Sequence, residues 1–140
     1  MSTTTTITMQ ERRFFERIYQ IVDLVPHGQV STYGDIALIV GNGCDARLVG
    51  LALGDLGPRI SKVPWQRIIN RSGGISTQGP DQRAALAAEG VEFDDKGKVP
   101  MERYRWAGPP ADWAAKNGFT PLPVRPAGKE EEDKSQLRLF

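Results

Sequence analysis

The sequence predicts a mainly α fold with a small β element, organised around a helix-turn-helix. Three observations predict it. Apolar residues recur at helical spacing from Met9 to Val25. Two shorter apolar segments then flank the turn Gly41-Asn42-Gly43-Cys44. Further on, only the brief runs Val91-Glu92-Phe93 and Val99-Pro100-Met101 have strand character. At 140 residues, 39% hydrophobic and 25% charged, the chain has the size and composition of one domain with a real core.

Taken in order, residues 1–8 are polar and threonine-rich and read as a flexible N-terminal arm. The first helix places Phe14, Phe15, Ile18, Ile21, Val22 and Val25 on one face, and Pro26-His27-Gly28 ends it. Thr32 is the N-cap expected for the second helix, with Asp35 three residues on as a weak capping box and Gly41 as its stop. Asp45 can cap a third helix from Ala46 to Leu56, ended by Gly57-Pro58. On that helix Ala46, Gly50 and Gly54 fall on one side, and each interior glycine costs about 1 kcal/mol relative to alanine. Such a stripe implies close approach, either of a neighbouring helix or of a nucleic-acid backbone beside Arg47. Lys62 to Ile69 reads as extended or loop, Arg71-Ser72-Gly73-Gly74 as a turn, and Pro80 to Gly90 as a short helix. The runs at 91–93 and 99–101 are expected to pair as strands across the polar turn Asp94 to Lys98. After Trp106, prolines and the charge run Lys129 to Lys134 predict a disordered tail over 106–140, leaving 9–105 as the domain.

Composition narrows the function classes. No apolar run approaches a membrane span, and the N-terminus lacks the layout of a signal peptide. The single cysteine, Cys44, cannot form an internal disulfide, so a cytoplasmic protein is the default. Net charge is +1, but Arg59, Lys62, Arg67, Arg71 and Arg83 face one acid, Asp81, within a short stretch. Phosphates favour such an excess, although by charge alone an ordinary solvated face is the better account. The lone His27 has no second histidine or nearby cysteine, so no metal site and no cofactor are expected. Cys44 reads as an incidental small residue.

Five blocks in order carry a resemblance. They are residues 26–34 (Pro26-His27-Gly28 to Tyr33-Gly34), Ala46-Arg47-Leu48-Val49-Gly50, Pro64-Trp65-Gln66-Arg67-Ile68-Ile69, Ser72-Gly73-Gly74 and Glu89-Gly90-Val91. Together they resemble the O6-alkylguanine-DNA alkyltransferases, whose active-site pattern is Pro-Cys-His-Arg-Val. Here Trp65 stands at the cysteine and Gln66 at the histidine, so the chain is similar to the alkyltransferase-like, non-enzymatic branch. The resemblance covers roughly residues 10–105. It implies a winged-helix-like DNA-binding domain of the alkyltransferase C-terminal type, which docks its helix-turn-helix in the minor groove.

The resemblance also implies roles residue by residue. Ala46 and Gly50 would face the groove. Arg47 matches the finger that fills the stack vacated by a flipped guanine. Tyr33 matches the tyrosine that presses the adjacent phosphate, and Thr32 a backbone-contacting position. Pro64, Trp65, Ile68, Ser72 and Gln78 would line the alkylguanine pocket. Some relatives carry arginine where Gln78 falls, so weaker or differently tuned discrimination among alkyl groups is expected here. Glu89 matches an acid of the histidine's relay and, beside Gln66, is expected to be structural.

The chemistry of the substituted residues agrees. Dealkylation needs a thiolate activated by a neighbouring base. Neither an indole nor a glutamine amide supplies one, whereas an indole face can stack on a flipped base. The implied function is a non-catalytic sensor of O6-alkylguanine in double-stranded DNA that presents the lesion to nucleotide-excision repair proteins, acting as a monomer with no membrane partner. An active alkyltransferase and a winged-helix transcription regulator are the alternatives. Finally, Gln136-Leu137-Arg138-Leu139-Phe140 resembles the Gln-Leu-x-Leu-Phe peptide that docks bacterial proteins on the sliding clamp; an apolar terminus that packs back on the domain is the alternative.

Overall fold

The computed structural model describes residues 7–75 and 79–123. Helix α1 (Met9–Val22) begins at Thr8, whose hydroxyl accepts from Glu11 N–H while the Glu11 carboxylate accepts from Thr8 N–H. Its apolar face buries Phe15, Ile18, Ile21 and Val22, and Val25 follows them into the core from the turn beyond. Strand β1 (Ser31–Thr32) runs straight into α2 (Tyr33–Val40), for which Thr32 is the N-cap. The turn Gly41-Asn42-Gly43 has φ values of 68°, 56° and 91°, a left-handed run that glycine and asparagine tolerate and β-branched residues do not. Asp45 then caps α3 (Ala46–Gly54) by accepting from Leu48 N–H.

Helices α1, α2 and α3 form the main core. Ile36, Ile39 and Val49 are fully buried between them, and the Tyr19 hydroxyl donates to the Ala52 carbonyl at 2.6 Å. Two 3-10 turns, Gly57–Ser61 and Trp65–Arg67, lead into β2 (Ile68–Ile69). Strand β2 pairs in parallel with β1, Ser31 opposite Ile68 and Thr32 opposite Ile69. A second, smaller core of Val30, Ile69, Leu86, Val91 and Val99 lies under α4 (Gly79–Ala88).

The helix-turn-helix, its caps and the Ser72-Gly73-Gly74 turn form as expected. Helix α1 ends three residues early and α3 two, each followed by a turn that still carries the next apolar residue, Val25 or Leu56, into the core. The β element is in a different place. Among the described residues 91–93 and 99–101 do not pair, because Val99 N–H donates to Gly73 O instead and Met101–Tyr104 turns into the short helix α5. The Asp94–Lys98 turn between them does close, with Asp94 N–H donating to Lys98 O. The small sheet comes from segments that propensity could not mark, since each strand is only two residues long.

The tail also needs correction. Residues 107–123 are not disordered: Ala111–Asn117 forms α6, and Phe119 and Leu122 are buried on the main core. The Trp113 and Phe119 rings stack at 5.5 Å, and the Arg17 guanidinium lies 4.1 Å from the Phe119 centroid on its way to the Gly118 carbonyl. Thr120 N–H donates to Ile39 O at the end of α2. Proline and glycine there shape a chain wrapped against the core. Residues 124–140, with the charge run and the terminal peptide, lie outside the described residues, as do 1–6 of the arm. Phe119→Ala is expected to cost about 3 kcal/mol of stability in urea denaturation; an unchanged midpoint would mean that the segment is not docked.

Candidate nucleic-acid interface

Glu89 organises the loop that carries Trp65. Its carboxylate accepts from Gly28 N–H at 2.9 Å, from the Gln66 side-chain amide at 2.8 Å and from Arg67 Nε at 3.0 Å. Arg67 also donates to the Val25 carbonyl at 2.8 Å. The buried Gln82 amide donates to the carbonyls of Gln66 and Ile68, which fixes the same loop from α4. Pro64 and Trp65 are therefore held on a rigid turn, with the Trp65 ring half-buried against the main core.

A groove of about 820 Å³ opens beside the helix-turn-helix. Thr32, Tyr33, Leu38, Ala46, Asn70 and Arg71 are among its walls. Parallel pairing of β1 with β2 places the start of α2 alongside the strand that follows Trp65. Asn70 fastens the adjoining turn, its side-chain oxygen accepting from Ser72 N–H, the Ser72 hydroxyl and Gly74 N–H. Gly73 (φ 91°) is required there, because a Cβ would come within 2.4 Å of the Val99 carbonyl oxygen.

The remaining expected site residues divide by exposure. Ala46 and Gly50 are exposed, and a Cβ built at Gly50 or Gly54 meets nothing within 4 Å. Helix packing therefore does not account for the small-residue stripe. Tyr33 is partly buried at the first position of α2. Thr32 is only 2% exposed, and its hydroxyl accepts from Asp35 N–H. Its side chain fixes the helix start at the wall of the groove. Ile68 is fully buried in β2 and belongs to the main core, not to a pocket wall. Gln78 lies outside the described residues. Arg47 does not line the groove; it donates to the Glu11 carboxylate of α1 at 2.5 Å.

The basic cluster disperses on folding. Arg67 is spent on Glu89, Arg59 pairs with Glu16, and Arg83 covers the Phe93 ring at 4.3 Å. Of the described residues in that stretch, Lys62, Arg71 and Arg83 remain exposed without an ion pair, and Arg71 borders the groove. The Cys44 thiol is pushed up to about 11 by burial and by Asp45, so it stays protonated at neutral pH and is a poor nucleophile. No group of three or more His, Cys, Asp or Glu placed to hold a metal occurs among the described residues.

Sequence reasoning missed two elements of the site. Asp35, 4% exposed, accepts both arms of the Arg105 guanidinium at 2.8 Å each, which braces the start of α2 from the far end of the domain. Gln82 is the other. Nothing local marks either contact, since their partners lie 70 and 14–16 residues away.

The family model described as "6-O-methylguanine DNA methyltransferase, DNA binding domain" matches residues 13–91. The chain belongs to this family. It is 47% identical over 100 residues to the DNA base-flipping protein of Escherichia coli (strain K12), covering 69% of this chain and 77% of that one. It is 37% identical over 107 residues to Alkyltransferase-like protein 1 of Schizosaccharomyces pombe, covering 70% and 98%. Its fold matches the crystal structure of S. pombe Atl1 in complex with damaged DNA containing O6-carboxymethylguanine, with a TM-score of 0.61 at 38% identity over 68% of this chain and 95% of that chain. The methyltransferase-family match ends at 91, so α5, α6 and the Arg105 brace lie beyond it.

Within this methyltransferase-family frame, Glu89 holds loops together, as expected of it. Burial opposes its ionisation, but donation from Arg67, Gly28 N–H and Gln66 outweighs burial, so the carboxyl titrates below its ordinary 4.5. A carboxyl lowered on folding stabilises the native state above its unfolded pKa, and that contribution fades as pH falls through the folded value. The stabilisation is thus complete at neutral pH and declines below about pH 4.5. Glu89→Gln should lose about 2 kcal/mol at pH 7 and show a flatter acid limb in denaturation series between pH 7 and 3; parallel pH profiles of the two proteins would refute this.

Proposed function

We propose that this protein binds O6-alkylguanine in duplex DNA, holds it in a flipped state and does not repair it. One observation carries the reading. By the resemblance of Pro64-Trp65-Gln66-Arg67 to the family's Pro-Cys-His-Arg pattern, Trp65 and Gln66 stand for the acceptor cysteine and its histidine, on a loop that Glu89 holds through Gln66 at 2.8 Å. The frame for a reacting thiol is kept, and neither residue can accept an alkyl group or activate one. The relatives named for base flipping and for alkyltransferase-like proteins support it.

The remaining parts have matching roles. The open face of Ala46 and Gly50 suits close approach to a minor groove. Arg47 would fill the vacated stack, Tyr33 would press the adjacent phosphate, and Trp65 with Pro64 and Ser72 would border the extruded base. Stacking on an aromatic face contributes about 1–3 kcal/mol per base, comparable with the few kcal/mol that extrusion costs. Gln78 would hydrogen-bond at the pocket rim without adding charge. Presentation to nucleotide-excision repair, action as a monomer in the cytoplasm close to the nucleoid, and clamp docking through Gln136, Leu137, Leu139 and Phe140 complete the proposal.

Matched duplexes with and without O6-methylguanine test it. The lesion duplex should bind more tightly, Trp65→Ala and Arg47→Ala should each weaken that preference by about tenfold, and a labelled methyl group should remain on the DNA. Equal affinity for both duplexes would favour a transcription regulator, and labelled protein would favour an active transferase. The terminal peptide is tested separately by sliding-clamp pull-down with and without residues 136–140; equal retention would remove the clamp from the proposal.

A further inference from the structure

The Arg47 guanidinium is already occupied. It donates to Glu11 Oε2 across the gap between α3 and α1, while Glu11 Oε1 accepts from Thr8 N–H in the capping box. The carboxylate is thereby fixed from two sides and presents a preorganised partner. Arg47 itself is 56% exposed, so it can leave without opening the core. The other acid close to it is Asp45, which is committed to capping α3.

Resting on the finger reading of Arg47, we infer that Glu11 is a positioning residue that competes with DNA for that guanidinium. In the free protein Glu11 neutralises Arg47 and keeps it on α1. Entry into a vacated base stack requires Arg47 to exchange this carboxylate for DNA, and Glu11 is then left as an unpaired negative charge near phosphates. The exchange opposes insertion at every site, so insertion is restricted to places where the base leaves the stack most readily, such as a damaged pair. Arg47 and the Thr8 N–H also hold the Glu11 carboxyl below its ordinary range, so the competitor is ionised at physiological pH.

Glu11→Gln isolates the effect, because glutamine also serves in a capping box but carries no charge. Affinity for an O6-methylguanine duplex should rise about two- to fivefold, the range that an exposed ion pair supports, while the urea midpoint stays within error of the wild type. The gain should vanish when Glu11→Gln is placed in an Arg47→Ala background. An unchanged affinity, or an equal gain in both backgrounds, overturns the inference while a weakened Arg47→Ala protein leaves the finger reading standing. Full lesion affinity in Arg47→Ala alone overturns both.

Discussion

The Glu89 carboxylate is the contact on which the site depends. It gathers the turn after α1, the Trp65 loop and the end of α4 onto one charged group through Gly28, Gln66 and Arg67. A partly desolvated carboxylate is stabilised by each of these donors, and loss of any one leaves a costly unsatisfied group. Its presence explains why Arg67 is not a surface cation and why Gln66 is ordered. It also explains how a loop of 3-10 turns holds a tryptophan in a fixed place.

Two braces act around this hub. Parallel pairing of β1 with β2 sets Tyr33 beside the strand that leaves Trp65, and the Asp35–Arg105 pair locks the start of α2 from outside the family-matched stretch. The second brace depends on residues 99–106 being folded, and those in turn sit beside a C-terminal segment anchored through Arg17, Phe119 and Trp113. The brace on α2 thus shares the main core with the C-terminal segment, through Trp106, Ala114, Phe119 and Leu122.

Charge is distributed by the same logic. The sequence carries a run of basic residues between 59 and 83, but folding assigns Arg59, Arg67 and Arg83 to acids or rings. Exposed cations without an acidic partner are reduced to Lys62, Arg71 and Arg83 among the described residues of that stretch. Arg47 is the exposed cation at the small-residue face, and its pairing to Glu11 makes even that one conditional.

The helices, their caps and the glycine turn between α2 and α3 were legible in the amino-acid order, because each depends on neighbours within a few positions. The family frame was legible for the same reason, through short blocks of fixed local geometry. Tertiary structure alone decided where the sheet forms, that residues 107–123 pack on the core, that Ile68 and Thr32 turn inward, and which arginines remain exposed. Those outcomes turn on contacts between segments far apart in sequence. There a two-residue strand or a buried ion pair is stabilised by its partner and leaves no periodic signal of its own.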